Sequence, residues 1–185
     1  MIDDRVPFNT LRQIPAFRSF NESEYHQMAE VAQERTFAPG EKVIEQGKRS
    51  QYLWILLEGK CEVIKDSLHD GVVVLAALEP YSLFGEMSFF SPAPHSANVV
   101  AKTPVKLLSI SRPDYDDMIH DGMTAAYKLA YNVVEHVAGR LRRMDEWITE
   151  LSTHDEPPQG AEPKEKEKLP EWRQFRNKLF DGWNL

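Results

Sequence analysis

Regularly spaced glycines between short apolar runs constrain the fold of this chain more than any other feature. From residue 34 the hydrophobic period becomes two, and strand-like runs are separated by Gly40, Gly47, Gly59, Gly71 and Gly85. Many short strands with turn residues at such spacing are typical of an antiparallel sandwich or jelly roll. The sequence therefore predicts a mainly β architecture with flanking helices.

Helical periodicity is found on both sides of this β segment. Residues 8–33 read as helical, with Asn21 as an N-cap and Glu24 three residues later, as in a capping box. After Pro113 the chain reads as one helix to residue 151. Its apolar side chains alternate spacings of three and four and form a heptad seam: Tyr127, Ala130, Val134, Val137, Leu141, Met144, Ile148 and Leu151.

The heptad seam predicts a coiled-coil homodimer through residues 127–151, because a seam of this length is too narrow and long for its own small domain to cover. Burial of its apolar side chains would drive association, at about 1.5–3 kcal/mol for each fully buried one. An ion pair between Arg140 and Asp145 of two chains would only set the register. The alternative is a helix that packs on its own domain.

The C-terminal residues differ in composition from the rest. Prolines and alternating lysine and glutamate predict a disordered linker over residues 152–169. Residues 170–185 place Trp172, Phe175, Leu179 and Trp183 on one stripe of a short amphipathic helix. That helix could pack on its own chain, dock on a protein partner, or lie on a membrane surface. The predicted segments are a β domain with N-terminal helices (1–112), a long dimerisation helix (113–151), the linker (152–169) and the tail helix (170–185).

Composition excludes several classes of function. A formal net charge of -7 disfavours broad nucleic-acid binding. Cys61 is the single cysteine, which excludes a disulfide framework and a cysteine-ligated metal site. No apolar run approaches the ~20 residues of a membrane span, and no signal peptide is found, so we expect a cytoplasmic protein. Nucleophile and phosphate-loop motifs of enzymes are missing, and we expect no enzymatic activity.

The run Phe-Gly-Glu-Met-Ser-Phe-Phe-Ser-Pro-Ala-Pro-His-Ser-Ala, residues 84–97, is the segment most suited to binding. Gly85 lets the backbone approach a ligand closely. Glu86 can accept hydrogen bonds from a sugar hydroxyl. A short helical turn after it would direct N–H groups toward a phosphate. The segment is therefore predicted to wrap around a small anion.

This run resembles the phosphate-binding cassette of the cyclic nucleotide-binding domain family, whose pattern is Phe-Gly-Glu followed by Pro-Arg-Ser/Thr/Ala-Ala. Three further glycine motifs stand in the family's order and spacing, Pro39-Gly40-Glu41, Glu45-Gln46-Gly47 and Leu57-Glu58-Gly59. The resemblance covers residues 11–151. Pro80-Tyr81-Ser82 departs from it, because the family commonly has Pro-Gly-Asp there. Six cassette positions match: Phe84, Gly85, Glu86, Pro94, Ser96 and Ala97.

The resemblance implies an antiparallel β jelly roll, or double-stranded β-helix, followed by a long C-terminal dimerisation helix. It implies cyclic AMP or cyclic GMP as the ligand, with Glu86 at the ribose and Ser96 at the phosphate. It also implies that the long helix approaches the base. No helix-turn-helix segment can be found, so we expect no direct DNA binding. The candidate ligand-binding residues are Phe84, Gly85, Glu86, Met87, Ser88, His95, Ser96, Ala97, Met144 and Asp145.

His95 stands where the family has its phosphate-pairing arginine. Histidine cannot form the forked contact of a guanidinium, and its ordinary pKa of about 6.5 leaves it mostly neutral at neutral pH. We therefore expect weakened binding that strengthens at lower pH. Three hypotheses stay open: a dimeric cyclic nucleotide sensor that signals to a protein partner through residues 170–185, a dimeric scaffold that binds no nucleotide and acts through the same C-terminal tail, and a ligand-free partner of a DNA-binding protein.

Overall fold

The computed structural model describes residues 6–67 and 71–154. The chain divides into two compact units, residues 1–137 and 138–185, and each is described by itself. The predicted segment boundaries after residues 112, 151 and 169 stay a prediction. Residues 112–137, which follow the β strands, belong to the first unit because they pack against its hydrophobic core.

The predicted N-terminal helical region is divided by Pro15, which cannot continue a helix. It comprises α1 (Phe8–Gln13), a short 3₁₀ helix (Pro15–Phe17) and α2 (Glu22–Val31). The capping box is confirmed. The backbone N–H of Glu24 donates to Asn21 Oδ1 at 2.9 Å, and the N–H of Asn21 donates to Glu24 Oε2 at 2.7 Å. Two backbone donors that α2 would otherwise leave unpaired are thereby satisfied.

The mainly β antiparallel fold is confirmed. Among the described residues the strands form two four-stranded antiparallel sheets, one ordered β1-β8-β3-β6 and the other β2-β7-β4-β5. The strands are β1 (Gln33–Phe37), β2 (Lys42–Ile44), β3 (Tyr52–Glu58), β4 (Cys61–Ser67), β5 (Gly71–Leu78), β6 (Leu83–Phe84), β7 (Asn98–Ala101) and β8 (Val105–Ser111).

Strand β3 separates two hydrophobic cores because its successive side chains point to opposite faces. Leu53 and Ile55 face the helices and join one core, whereas Trp54 and Leu56 face the other sheet and join the second. A strand covered on both faces reads as a nearly continuous apolar run, as Tyr52–Leu57 does. Cys61, the first residue of β4, lies buried in the core between the sheets.

The prediction of one unbroken helix from residue 113 was wrong. The structure has α4 (Arg112–His120) and α5 (Thr124–His154), separated by a tight turn. Gly122 adopts φ of +68°. The N–H of Met123 donates to Met118 O at 2.9 Å, and the N–H of Gly122 donates to Ile119 O at 3.1 Å. These two bonds form a Schellman motif, which ends α4.

In the first unit, one face of α5 packs on the chain's own core through Ala125, Leu129 and Val133. The predicted alternative, a helix that packs on its own domain, therefore holds for this face. Part of the heptad seam faces outward instead, since Tyr127 is 55% and Val134 is 66% exposed. Homodimerisation through this seam stays a prediction.

The second unit contributes the end of α5, which continues to His154 and so includes three residues predicted to belong to the linker. Leu141 and Met144 are exposed there. The side chains of Ile148 and Leu151, the rest of the predicted linker and the predicted tail helix lie outside the described residues. Within residues 6–67 and 71–154, no helix has the length and apolarity needed to cross a membrane.

Candidate functional site

Gly85 controls the backbone at the start of the cassette, residues 84–97. Strand β6 ends at Phe84, Gly85 adopts φ of +82°, and helix α3 (Glu86–Phe90) follows directly. A Cβ atom at residue 85 would lie 2.7 Å from the carbonyl oxygen of Tyr52 and 3.1 Å from Cδ1 of Trp54. Glycine is thus required twice here, once for the left-handed conformation and once for space.

A layer of aromatic rings lies beneath the cassette, between the two sheets. The ring of Phe84 stacks on Trp54 with centroids 6.5 Å apart and planes 12° apart, and Phe37 contacts Trp54 edge-on at 5.9 Å. The guanidinium of Arg35 lies 5.1 Å from the ring centroid of Tyr52, within the range of a cation–π contact. These rings fill the core between the sheets, beside the backbone turn at Gly85.

The side chains of α3 divide between the interior and the surface. Glu86 and Ser88 are buried, whereas Met87 is 65% exposed. A carboxylate as buried as that of Glu86 requires hydrogen-bond donors or a cation as partners. Beyond the helix, Ser96 is exposed and Ala97 is buried. The cassette thus carries a buried acid, Glu86, and an exposed hydroxyl, Ser96.

His95 is buried and contacts protein groups through both ring nitrogens. Nε2 lies 2.7 Å from Ser50 Oγ, and Nδ1 lies 3.1 Å from Ser88 Oγ. Burial lowers the pKa of His95 below its ordinary value, and a hydrogen bond with the backbone of Ser50 opposes that shift only in part. A neutral imidazole donates through one nitrogen and accepts through the other, so two serine hydroxyls satisfy it.

These contacts give His95 a structural role that the sequence analysis did not anticipate. The expected role, a hydrogen bond to phosphate, would require the ring to exchange one of its serine partners. The expected gain of charge at mildly acidic pH is also displaced to lower pH, because burial lowers the pKa of His95. Its contact with a phosphate therefore stays a prediction.

The loop between β2 and β3 is joined to the cassette at residue 95. The N–H of Gly47 donates to His95 O at 2.9 Å, and the N–H of His95 donates to Lys48 O at 2.9 Å. With the Ser50 contact, three interactions join residues 47–50, the basic loop, to the cassette. The Glu45-Gln46-Gly47 motif identified this turn in the sequence, but no spacing in the sequence relates residue 50 to residue 95.

Asn98 is a buried polar residue that was not among the predicted site residues. Its Oδ1 accepts from the backbone N–H of Gln46 at 3.0 Å, and its Nδ2 donates to Asp66 Oδ2 at 3.1 Å. The side chain of Gln46 in turn donates to Asp66 O and accepts from Asp66 N. This network fixes the start of the basic loop relative to strands β4 and β7.

The turn before the cassette is made in an unusual way. Tyr81, at the position where the family commonly has glycine, adopts φ of +70° and is the single non-glycine residue with positive φ among those described. Its N–H donates to Leu56 O at 2.6 Å, and its hydroxyl donates to Gln13 Oε1 at 2.8 Å. These hydrogen bonds offset the cost of about 1–2 kcal/mol for a left-handed residue with a side chain.

Two predicted site residues, Met144 and Asp145, lie on the part of α5 that belongs to the second unit. Their contact with a ligand stays a prediction.

Among the residues that the structure describes, no three histidine, cysteine, aspartate or glutamate side chains group as a metal site.

Residues 34–121 match the cyclic nucleotide-binding domain family. This segment is a cyclic nucleotide-binding domain. It contains seven of the eight strands in full, β1 from its second residue, the cassette and all of α4, so the sequence match and the observed architecture describe the same part of the chain. The family resemblance drawn from the glycine motifs and the cassette is thereby confirmed.

Two relatives extend this finding beyond the matched segment. The Cyclic AMP receptor protein of Thermus thermophilus is 30% identical over 131 residues, which are 71% of this chain and 59% of that protein. The cAMP-dependent protein kinase regulatory subunit of Yarrowia lipolytica is 35% identical over 106 residues, which are 57% of this chain and 27% of that protein. The chain thus spans less than two thirds of either relative.

The fold is also shared with solved structures. A cyclic nucleotide-binding domain from Methylobacillus flagellatus superposes with a TM-score of 0.68 at 22% sequence identity, over 77% of this chain and 80% of that chain. At that identity the likeness supports the architecture, a mainly β antiparallel domain with flanking helices and a long C-terminal helix.

Proposed function

We propose that this chain is a non-enzymatic regulatory protein that binds cyclic AMP or cyclic GMP in the cassette formed by residues 84–97. The observation that carries the proposal is Glu86, buried at the start of α3 directly after the left-handed Gly85. A carboxylate can accept hydrogen bonds from a ribose hydroxyl. Burial of a glutamate is costly unless its carboxylate has partners, so the burial of Glu86 favours a binding role. Ser96 of the cassette is exposed, and its hydroxyl can donate to a phosphate.

Binding is expected to be weaker than in family members with the cassette arginine. Burial lowers the pKa of His95, which favours the uncharged imidazole, and a neutral group forms a weaker hydrogen bond to an anion than a guanidinium. Loss of a charged hydrogen bond costs about 1.5–3 kcal/mol, which is roughly ten- to a hundredfold in affinity. The ligand must then be recognised largely by other groups of the cassette.

A continuous series of contacts in the first unit supports transmission of the ligand state from the cassette to α5. Arg112 Nη1, at the start of α4, donates to the carbonyl oxygen of Phe89 in α3 at 2.9 Å. The ring of Phe89 packs edge-on against Tyr115 of α4 at 5.3 Å. The Tyr115 hydroxyl donates to Ala126 O in α5 at 3.3 Å. A shift of α3 would therefore act on α5 through α4.

The output of this sensor is proposed to be a homodimer formed through residues 127–151, with a protein partner bound through residues 170–185. The outward face of α5 in the first unit supports the dimer, since Tyr127, Tyr131 and Val134 are all more than half exposed there. Large apolar side chains aligned on one helix face are typical of an interface.

A second candidate function is a dimeric scaffold that binds no nucleotide. The engagement of both His95 nitrogens by Ser50 and Ser88 favours it, because the residue at the phosphate position already has its full set of partners. In that case the cassette would be a structural element only, and the exposed face of α5 would carry the function.

Titration calorimetry with cyclic AMP and cyclic GMP separates the two candidates. The sensor predicts saturable binding that Glu86→Gln weakens at least tenfold, because the amide has the same shape but lacks the charge. Glu30→Gln, the same change at an exposed residue of α2, serves as the control and should bind as the wild type does. No heat of binding from either nucleotide at millimolar concentration, with a folded protein, would support the scaffold instead.

A further inference from the structure

We propose that Arg49, in the basic loop, supplies the cation that pairs with the phosphate of a ligand in the cassette. This inference rests on the proposed function and specifies how a cyclic phosphate monoanion is held when residue 95 is histidine. His95 then acts as a positioning residue, which holds the basic loop against the cassette.

The hydrogen bonds at residue 95 place Arg49 close to the position of the missing guanidinium. Lys48 O, which accepts from the N–H of His95 at 2.9 Å, belongs to the same peptide unit as the nitrogen of Arg49. Standard peptide geometry then puts the Cα of Arg49 within about 6 Å of the His95 nitrogen. An extended arginine side chain reaches a further ~6 Å, so its guanidinium can cover the surface beside Ser96.

Arg49 is exposed, and its guanidinium has no hydrogen bond or ion pair with the residues that the structure describes. The neighbouring Lys48 differs in this respect, since its Nζ lies 2.6 Å from Glu45 Oε2. Only one of the two cations of the basic loop is therefore available for an anion. A guanidinium also matches two phosphate oxygens at once, which an ammonium does not.

The neutral state of His95 is compatible with this arrangement. An arginine at residue 95 would add a second positive charge next to the basic loop, and it would repel the charge of Arg49. The uncharged imidazole instead bridges Ser50 of the basic loop and Ser88 of α3. His95 therefore joins the basic loop, which carries Arg49, to α3, which begins at Glu86.

The test compares two charge-neutralising substitutions in adjacent residues, Arg49→Gln and Lys48→Gln. Titration calorimetry with cyclic AMP and cyclic GMP at low ionic strength measures the affinity of each variant. We expect Arg49→Gln to weaken binding about ten- to a hundredfold, and Lys48→Gln to weaken it less than threefold, although both remove one charge. Circular dichroism and a urea transition for each variant establish that both are folded.

The position of the cation can be checked independently in a His95→Arg background. There the introduced guanidinium competes for the phosphate, so the same Arg49→Gln substitution should cost less than threefold. Equal affinities of Arg49→Gln and wild type would overturn the role of Arg49 while leaving the proposed function intact. Equal losses of affinity in Arg49→Gln and Lys48→Gln would mean that only the net charge of the loop matters, and this result would also overturn the role of Arg49. A wild type that binds neither nucleotide would overturn both.

Discussion

Substitution of Gly85 by alanine isolates the constraint that shapes the cassette. The new Cβ would lie 2.7 Å from the carbonyl oxygen of Tyr52 and 3.1 Å from Trp54, and the residue would have to keep φ of +82°. Gly40 provides a matched control, since it has φ of +88° and a Cβ atom there would meet no other atom within 4 Å. Both substitutions place a side chain on a left-handed backbone, but only Gly85→Ala also brings the new Cβ into steric conflict.

The expected losses of stability follow from these two effects. The left-handed conformation costs a non-glycine residue about 1–2 kcal/mol, and alanine recovers about 0.4–1 kcal/mol by restricting the unfolded chain. Gly40→Ala should therefore destabilise by about 1 kcal/mol. Gly85→Ala adds a steric term of about 1–3 kcal/mol, because the carbonyl of Tyr52 belongs to strand β3 and cannot move freely.

Urea denaturation followed by circular dichroism measures this difference as a shift in the midpoint at constant slope. Thermal unfolding should show a lower Tm for Gly85→Ala than for Gly40→Ala, by about 2–4 °C for each kcal/mol in a chain of this size. The reasoning would be refuted by equal midpoints for the two variants. It would also be refuted by a Gly85→Ala protein as stable as the wild type.

Three further predictions concern buried polar groups and the exposed helix face. Ser88→Ala leaves a ring nitrogen of His95 without its partner and should cost about 1–3 kcal/mol in urea denaturation, whereas Ser88→Thr should retain most of that stability. Burial alone would raise the pKa of Glu24, but hydrogen bonds, with Lys128 first among the donors, outweigh it and lower the pKa. The stability from this group is therefore present above pH 4.5 and lost as pH falls, and Lys128→Met should reduce that acid dependence in pH-resolved thermal melts. Val134→Glu should shift sedimentation equilibrium toward monomer without changing the circular dichroism spectrum, and an unchanged mass would contradict the dimer.

The strands were predictable because their signal is local. Alternation of apolar and polar residues, and glycine at each turn, follow from the pleat of a half-buried strand. The capping box of α2 was equally local, since Asn21 and Glu24 are three residues apart. The break before α5 also had a local signal, Asp121-Gly122, which the prediction of one helix from residue 113 did not use. The glycine allows the left-handed turn that ends α4.

The polar contacts of the site could not be predicted in the same way. Ser50 and His95 are 45 residues apart, and they meet only because the loop after β2 folds against the cassette. The left-handed turn at Tyr81 depends on hydrogen bonds to Leu56 and Gln13, which are also distant in sequence. Such contacts depend on tertiary structure, and a histidine alone gives no sign of whether its ring faces a ligand or two serines.

Hydrogen–deuterium exchange with and without cyclic AMP and cyclic GMP tests most directly whether the cassette binds a nucleotide and acts on α5. With either ligand at saturating concentration, the account predicts slower exchange of backbone amides in residues 85–97, together with changed exchange in α4 and in the first turns of α5. Identical exchange in the cassette at millimolar concentrations of both nucleotides would contradict binding. Protection confined to the cassette would contradict transmission through Tyr115.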